Sequence, residues 1–472
     1  MNSRTLGPIM ALFSTAAALT ATSNVLYKTF YPASINSTGW YTNISPGSFN
    51  DSIYQADTYS SATNAPYGTY DYCSMPHPRA DVYKLPEPVA NKSVRAELVY
   101  LQYIQRHQRR TSYNSLPGGE NQPYDCDNVE AFLYASPNGG LPQPQPMQVF
   151  GKTYTDPSNP FAANYVKSTC QLPQITVGGV LDGFQHGKDL WSVYGEKLGF
   201  LPPAPNSKTW FRSSESVLTQ QSAGGVLRGI WPYHTGPVPL HQQPEAIDTT
   251  NESFDCDRRM TVLQEIENTT EWQAHLEAAA PLFISLSWAS QNESDFTFSF
   301  NSFADNFQAR LCNGYNLPCN VKNLSQCATM AQAQEIFRGG DWEWTYWYRT
   351  NPQAKLYTQT VEGPFIAEII QRLQAVQNGT SKIIYEHDFL HDNDIGPIAG
   401  ALGITALRWP GMGSNIALEL WKVQGSSIFA RVLYSGQPMV TIYGTLDWIP
   451  LSQLIQILQP YAPKDIVQIC NS

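Results

Sequence analysis

Charge is scarce in this 472-residue chain. Only 14% of its residues are Asp, Glu, Lys or Arg, and 29 basic residues face 39 acidic ones, for a net charge of −10. A weakly charged, acidic surface excludes partners held by a basic field, so neither nucleic acid nor an anionic membrane is expected. Long apolar runs are missing beyond the N-terminus, which argues against a bilayer-spanning segment. The tail after Cys470 carries no lipid-anchor pattern. Also missing is any C-x-x-C pair among the eight cysteines Cys73, Cys126, Cys170, Cys256, Cys312, Cys319, Cys327 and Cys470. An even number without zinc spacing points to disulfides in an oxidising compartment, with the connectivity left open. No internal repeat is present.

What remains describes an exported globular protein. Hydrophobic residues make up 42% and aromatics 12%, enough for a large core. Arg4 precedes a short alanine-rich apolar stretch, Leu6 to Leu19, that ends near Ala21. We read residues 1–22 as a secretory signal peptide; Gly7, Pro8, Ser14 and Thr15 break the run too early for a membrane anchor. Asn-x-Ser/Thr sequons at Asn36, Asn43, Asn50, Asn91, Asn251, Asn268, Asn292, Asn323 and Asn378 agree with passage through a glycosylating pathway. The expected product is a secreted, disulfide-bonded glycoprotein. Residues 23–72, rich in Tyr, Ser, Thr, Asn and Gly, read as an arm laid over the surface.

The most informative stretch is Val94 to Ser112, VRAELVYLQYIQRHQRRTS. A β-branched and aromatic strand (Leu98 to Ile104) runs into Arg106, His107, Arg109 and Arg110. That places an imidazole and guanidinium forks at the carboxyl edge of a sheet, where open α/β folds bind ligands. Guanidinium groups suit phosphate through bidentate hydrogen bonds, and an imidazole beside them can act as nucleophile. A second apolar strand, Ile383 to Tyr385, leads to His391-Asp392-Asn393-Asp394, followed by a Gly396-Pro397 turn and a small-residue helix from Ile398. Phosphoryl transfer through a phosphohistidine needs that set: a nucleophilic imidazole, cations for the phosphoryl oxygens and an acid for the leaving alkoxide.

Glu386 to Asp394 admits a rival reading as a zinc or manganese site, because a helix there would put His387 and His391 on one face. The strand before it and the Gly-Pro break after it oppose a helix. His77, His186, His234 and His241 stand without comparable neighbours and read as structural.

The two segments resemble the R-H-G-x-R-x-P and H-D motifs of the histidine acid phosphatases, the second branch of the histidine phosphatase superfamily, which includes fungal phytases. Gln174 to Pro202, Trp210 to Pro232 and Ile428 to Met439 are similar to that family's later landmarks, in order. The likeness runs from about residue 71 to 470. It implies His107 as nucleophile, Arg106, Arg110 and His391 as phosphate contacts, and Asp392 as proton donor, with no metal or other cofactor. The partner it implies is a small phosphorylated substrate; the oligomeric state is left open. The implied fold is α/β: a core sheet flanked by helices, residues 73–232 and 380–472, with a mostly helical cap insertion at 233–379. Helices are expected around Gln185 to Leu198, from Thr219 to Ile230, over MAQAQEIFRGG and over GPFIAEIIQRLQAV.

This chain departs from the family pattern at three places. Gln108 stands at the motif glycine and Ser112 at the motif proline. Leu218 falls where a third phosphate-binding arginine belongs, and Arg212, which opens that segment, is the candidate to replace it. Two function classes follow: a secreted acid phosphatase, or a catalytically impaired relative that keeps the pocket for binding or signalling.

Overall fold

The computed structural model describes residues 71–472 except 114, 130, 133–149, 155, 162–165, 292, 294–295 and 425–426; before residue 71 it describes only the pairing of Ser48–Asn50 with Ile53–Gln55. The signal peptide therefore lies outside the described residues, as does nearly all of the arm.

The architecture is mixed α/β. Its centre is a seven-stranded sheet built from β1 (Ala96–Arg106), β2 (Thr209–Ser213), β3 (Tyr385–Leu390), β4 (Asn415–Val423), β5 (Ile428–Tyr434), β6 (Gln437–Pro438) and β7 (Ile449–Pro450). Six strands follow the order β6-β5-β4-β1-β3-β2, and β7 pairs with β5. β3 lies parallel between β1 and β2, while β4 runs antiparallel to β1. The period-2 alternation of β1 explains how one strand serves two layers. Leu101 and Tyr103 join one buried cluster, Tyr100 and Ile104 the other. The first layer is closed by α1 (Val177–Leu190) and α2 (Val217–Ile230). The second is closed by α3 (Asp257–Glu267), α4 (Thr270–Ser285), α5 (Asn301–Cys312), α6 (Met330–Thr345), α7 (Ala354–Gln377), α8 (Asp392–Ala401) and α9 (Leu451–Leu458).

Several elements differ from expectation. α1 starts at N-cap Thr176, well before Gln185, and continues as wide-turn helix over Trp191–Lys197. Its four glycines lower helix propensity and blur the apolar pattern. β3 begins at Tyr385 and contains His387 and Asp388, which removes the helical face that a metal reading of His387 and His391 required. Gly396-Pro397 lies inside α8 rather than in a turn. The helix starts at Asp392, so Pro397 forfeits only the bond to the Asn393 carbonyl near its first turn. Glycine is demanded at 396, where a Cβ would sit 2.3 Å from the Trp344 ring.

Segment 233–379 holds α3 to α7 and a short hairpin, Cys319–Asn320 with Asn323–Cys327. Most of its buried apolar side chains belong to the same cluster as one face of the sheet. All eight cysteines are paired, Cys73–Cys312, Cys126–Cys170, Cys256–Cys470 and Cys319–Cys327. Two of these bonds tie segment 233–379 to residues outside it. No described helix is long and apolar enough to cross a membrane.

Candidate active site

Parallel pairing of β1 with β3 sets Arg106 beside Leu390, so the two strands end together and deliver His107 and His391 to one edge. The imidazole rings meet edge to face with centroids 5.4 Å apart. α8 begins at once: His391 is its N-cap, Asp392 its first residue, and Asp394 accepts the His391 backbone N–H at 2.9 Å. Arg106 forms an ion pair with Asp392 at 2.9 Å, and the Trp409 indole N–H donates to the same carboxylate oxygen at 2.6 Å. Arg106 also donates to the Pro410 carbonyl. Arg110 pairs with Asp305 of α5 at 2.7 Å and stacks over Tyr113. His107, Arg106, Arg110, His391 and Asp392 are thus brought together. Arg110, His391 and Asp392 border a cavity of about 250 Å³, closed on the far side by α5, α6 and Trp409.

The His107 tautomer follows from its neighbour. Nδ1 lies 2.9 Å from the Gln108 carbonyl oxygen, which can only accept, so Nδ1 carries the proton and Nε2 the lone pair. Burial lowers the His107 pKa well below the usual value, helped by Arg106, Arg110 and His391. The ring stays neutral, as a nucleophile must. His391 is held down to about 4, mainly by burial and then by the two arginines against Asp392. Burial alone would raise Asp392, but Arg106, the Trp409 N–H and Arg110 outweigh it and hold the carboxyl below its usual range.

Arg212 does not join them, a correction to the expectation that it replaces the third arginine. Its guanidinium is bound by Asp248 at 2.7 Å and Glu368 at 2.8 Å, with Thr249 alongside. From a strand whose side chains alternate, Arg212 faces α7 and the loop before α3. Leu218 is buried in the first turn of α2. Close by, Ser214 at the end of β2 contacts His391 Nε2 at 3.0 Å. Two arginines, not three, therefore stand near His107 among the described residues.

Arg109 turns away from the cluster into a bidentate pair with Asp182. Gln108 fits where glycine was expected because its side chain also turns away, to within 3.3 Å of His186. Its space comes from Gly413, where φ is +68° and a Cβ would lie 2.8 Å from Gln108 Oε1. Of the other histidines, His77 pairs with Asp189 and stacks on His186, His186 bonds Tyr103, and His241 stacks on Trp210. His387 is buried between Tyr385 and Gln105. No group of three or more metal-ligating residues occurs among the described residues.

Sequence reasoning missed Asp305, Trp344, Trp409 and Ser214, which no local motif marks. It also missed the role of Asp394, whose carboxyl is pushed up to about 7 by burial.

The family model described as the histidine phosphatase superfamily (branch 2) matches residues 97–435. The chain belongs to that family. This histidine phosphatase is 24% identical over 370 residues to counting factor 60 of Dictyostelium discoideum, covering 75% of this chain and 83% of the relative. It is 20% identical over 405 residues to human 2-phosphoxylose phosphatase 1, covering 79% and 77%. Among solved structures, apo Hafnia alvei phytase superposes with a TM-score of 0.51 at 12% identity, covering 79% of this chain and 98% of that one. That likeness bears on the fold. Family membership and the relatives support phosphatase activity.

Proposed function

We propose that this histidine phosphatase is a secreted acid phosphatase that hydrolyses phosphate monoesters through a phosphohistidine intermediate. The observation that carries the reading is the His107 tautomer, an Nε2 lone pair held neutral between two arginines and facing His391. In the first step Nε2 attacks phosphorus and the P–O ester bond breaks. Asp392, protonated, gives its proton to the departing oxygen. In the second step Asp392 takes a proton from water, which attacks the phosphorus and releases His107 and inorganic phosphate. Arg106 and Arg110 neutralise the phosphoryl oxygens, and His391 and Ser214 flank them.

His107 is buried and Asp392 occupies Arg106, so substrate must open that ion pair to reach Nε2. A phosphate dianion between the arginines then cancels the field that keeps Asp392 ionised, and its pKa rises towards that of a working acid. Segment 233–379 acts as the cap that supplies the far wall. Four disulfides and the sequons support export.

A second reading, binding without turnover, is favoured by one observation: Leu218 is buried where a third arginine belongs while Arg212 is held elsewhere. The experiment is p-nitrophenyl phosphate turnover by purified protein from pH 4 to 8, with His107→Ala beside it and rapid quench into alkali to trap labelled phosphohistidine. Turnover that His107→Ala abolishes supports the enzyme. Turnover that survives it overturns the nucleophile assignment, and a wild type that binds phosphate without turnover supports the second reading.

A further inference from the structure

The walls of the cavity beyond the phosphate contacts carry almost no positive charge. Among its described lining residues Arg110 is the single arginine or lysine, and Arg110 is already paired with Asp305. The opposite wall offers Asn301, Ser302 and Asp305 from α5, with Trp344 and Trp409 stacked at 5.9 Å and 14°. The sequence itself carries no Lys or Arg at 29–78 or at 111–151, so neither stretch can bring a cation to the cavity. A second or third phosphate on the substrate would meet Asp305 and uncharged groups, a like-charge juxtaposition that binding sites use to reject ligands. The volume of about 250 Å³ also falls under the roughly 300–1,000 Å³ of ordinary drug-sized sites.

We infer that, within the phosphatase reading on which this rests, the site takes the monophosphate of a small neutral, hydroxyl-bearing skeleton, a sugar or polyol, and discriminates against polyphosphorylated ones. The indole pair stacks on the apolar face of the ring, the Ser302 hydroxyl hydrogen-bonds its hydroxyls, and Asp305 accepts from a hydroxyl while repelling a further phosphate. The fold that this chain shares with phytases is thus lined here for a singly phosphorylated cargo.

The test compares kcat/KM for glucose 6-phosphate, p-nitrophenyl phosphate and myo-inositol hexakisphosphate on the full-length secreted protein. Glucose 6-phosphate is expected to exceed the hexakisphosphate by at least about tenfold. Ser302→Lys is expected to narrow that ratio by improving the hexakisphosphate. A hexakisphosphate turned over as well as the sugar monophosphate overturns the inference while the phosphatase reading stands. If no ester is turned over, the phosphatase reading fails, and calorimetric binding of the same two ligands decides this inference: tighter hexakisphosphate binding overturns it.

Discussion

Replacing Asp392 by Asn tests the site most sharply, because the structure predicts two effects of opposite sign. Asn keeps an oxygen for the Trp409 indole N–H and for Arg106, which now lie 2.6 and 2.9 Å from the carboxylate. It loses the acidic proton and the negative charge. Without the proton, departure of an alkoxide slows by about 10²–10⁴-fold, the usual contribution of a positioned general acid, or about 3–5 kcal/mol in barrier. p-Nitrophenolate is a much weaker base that leaves largely unaided, so its ester should lose only about tenfold. Removing the charge acts the other way on binding. A carboxylate about 4 Å from an anion costs at most about 4 kcal/mol at an effective dielectric of 20, and Arg106 is freed to hold phosphate. The inhibition constant of inorganic phosphate should fall by about tenfold or more. The assay is kcat for glucose 6-phosphate and p-nitrophenyl phosphate together with phosphate inhibition, the thermal midpoint serving as folding control. Equal slowing of both esters with unchanged phosphate inhibition, in a stably folded protein, would refute the acid role and leave Asp392 as an anchor for Arg106.

Arg212→Ala should damage stability rather than catalysis: it strands Asp248, which is nearly inaccessible to solvent, at a cost of about 3–5 kcal/mol, visible in a denaturant midpoint while KM for p-nitrophenyl phosphate stays unchanged. Leu218→Arg, in the first turn of α2, should lower the phosphate inhibition constant by about tenfold or more if its guanidinium reaches the pocket, the value of one charge-assisted hydrogen bond; no change in a folded protein would put our alignment of that segment in error. Stability should decline as pH rises from about 6.5 to 7. Asp394 and Glu267 are raised to about 7 by burial. A carboxyl raised above its unfolded value contributes stability that is complete below the unfolded pKa and is lost as pH rises through the folded one, at up to about 1.4 kcal/mol per pH unit per group. The buried histidines His107, His186, His275 and His391 are shifted down and act in the opposite sense, losing stability as pH falls below about 6.5. The two trends oppose each other up to about pH 6.5, leaving a broad acidic plateau in thermal midpoint, and the carboxyl loss then continues alone until it is complete near pH 7; a rise in midpoint between pH 6.5 and 7 would contradict it.

How much of this was legible beforehand follows from the range of the interactions. β1 and its terminal Arg106, His107 and Arg110 were readable because strand propensity and motif are local. His391 and Asp392 were readable for the same reason, although α8 was expected to start at Ile398; Gly396-Pro397 hid a helix whose glycine is required by Trp344, a residue from a distant element. Arg212 misled because its partners Asp248 and Glu368 lie 36 and 156 residues away, and no local pattern announces an ion pair of that span. Asp305 and Trp409 were invisible likewise. The disulfide pairs, open on spacing alone, depend on how the α5 and C-terminal ends fold back.

The position of β1 in the sheet bears on how the protein is made. Both neighbours of this central strand come from much later in the chain, β3 from Tyr385 and β4 from Asn415. At ribosomal speeds, about 280 residues of further synthesis take roughly 15–60 s. For that interval the strand that leads into His107 has neither ladder partner, a row of unsatisfied amides and apolar side chains open to wrong pairing. The edge that holds His107 and His391 can close only after β3 and β4 have emerged, so nascent chains and truncations that lack either strand cannot assemble it.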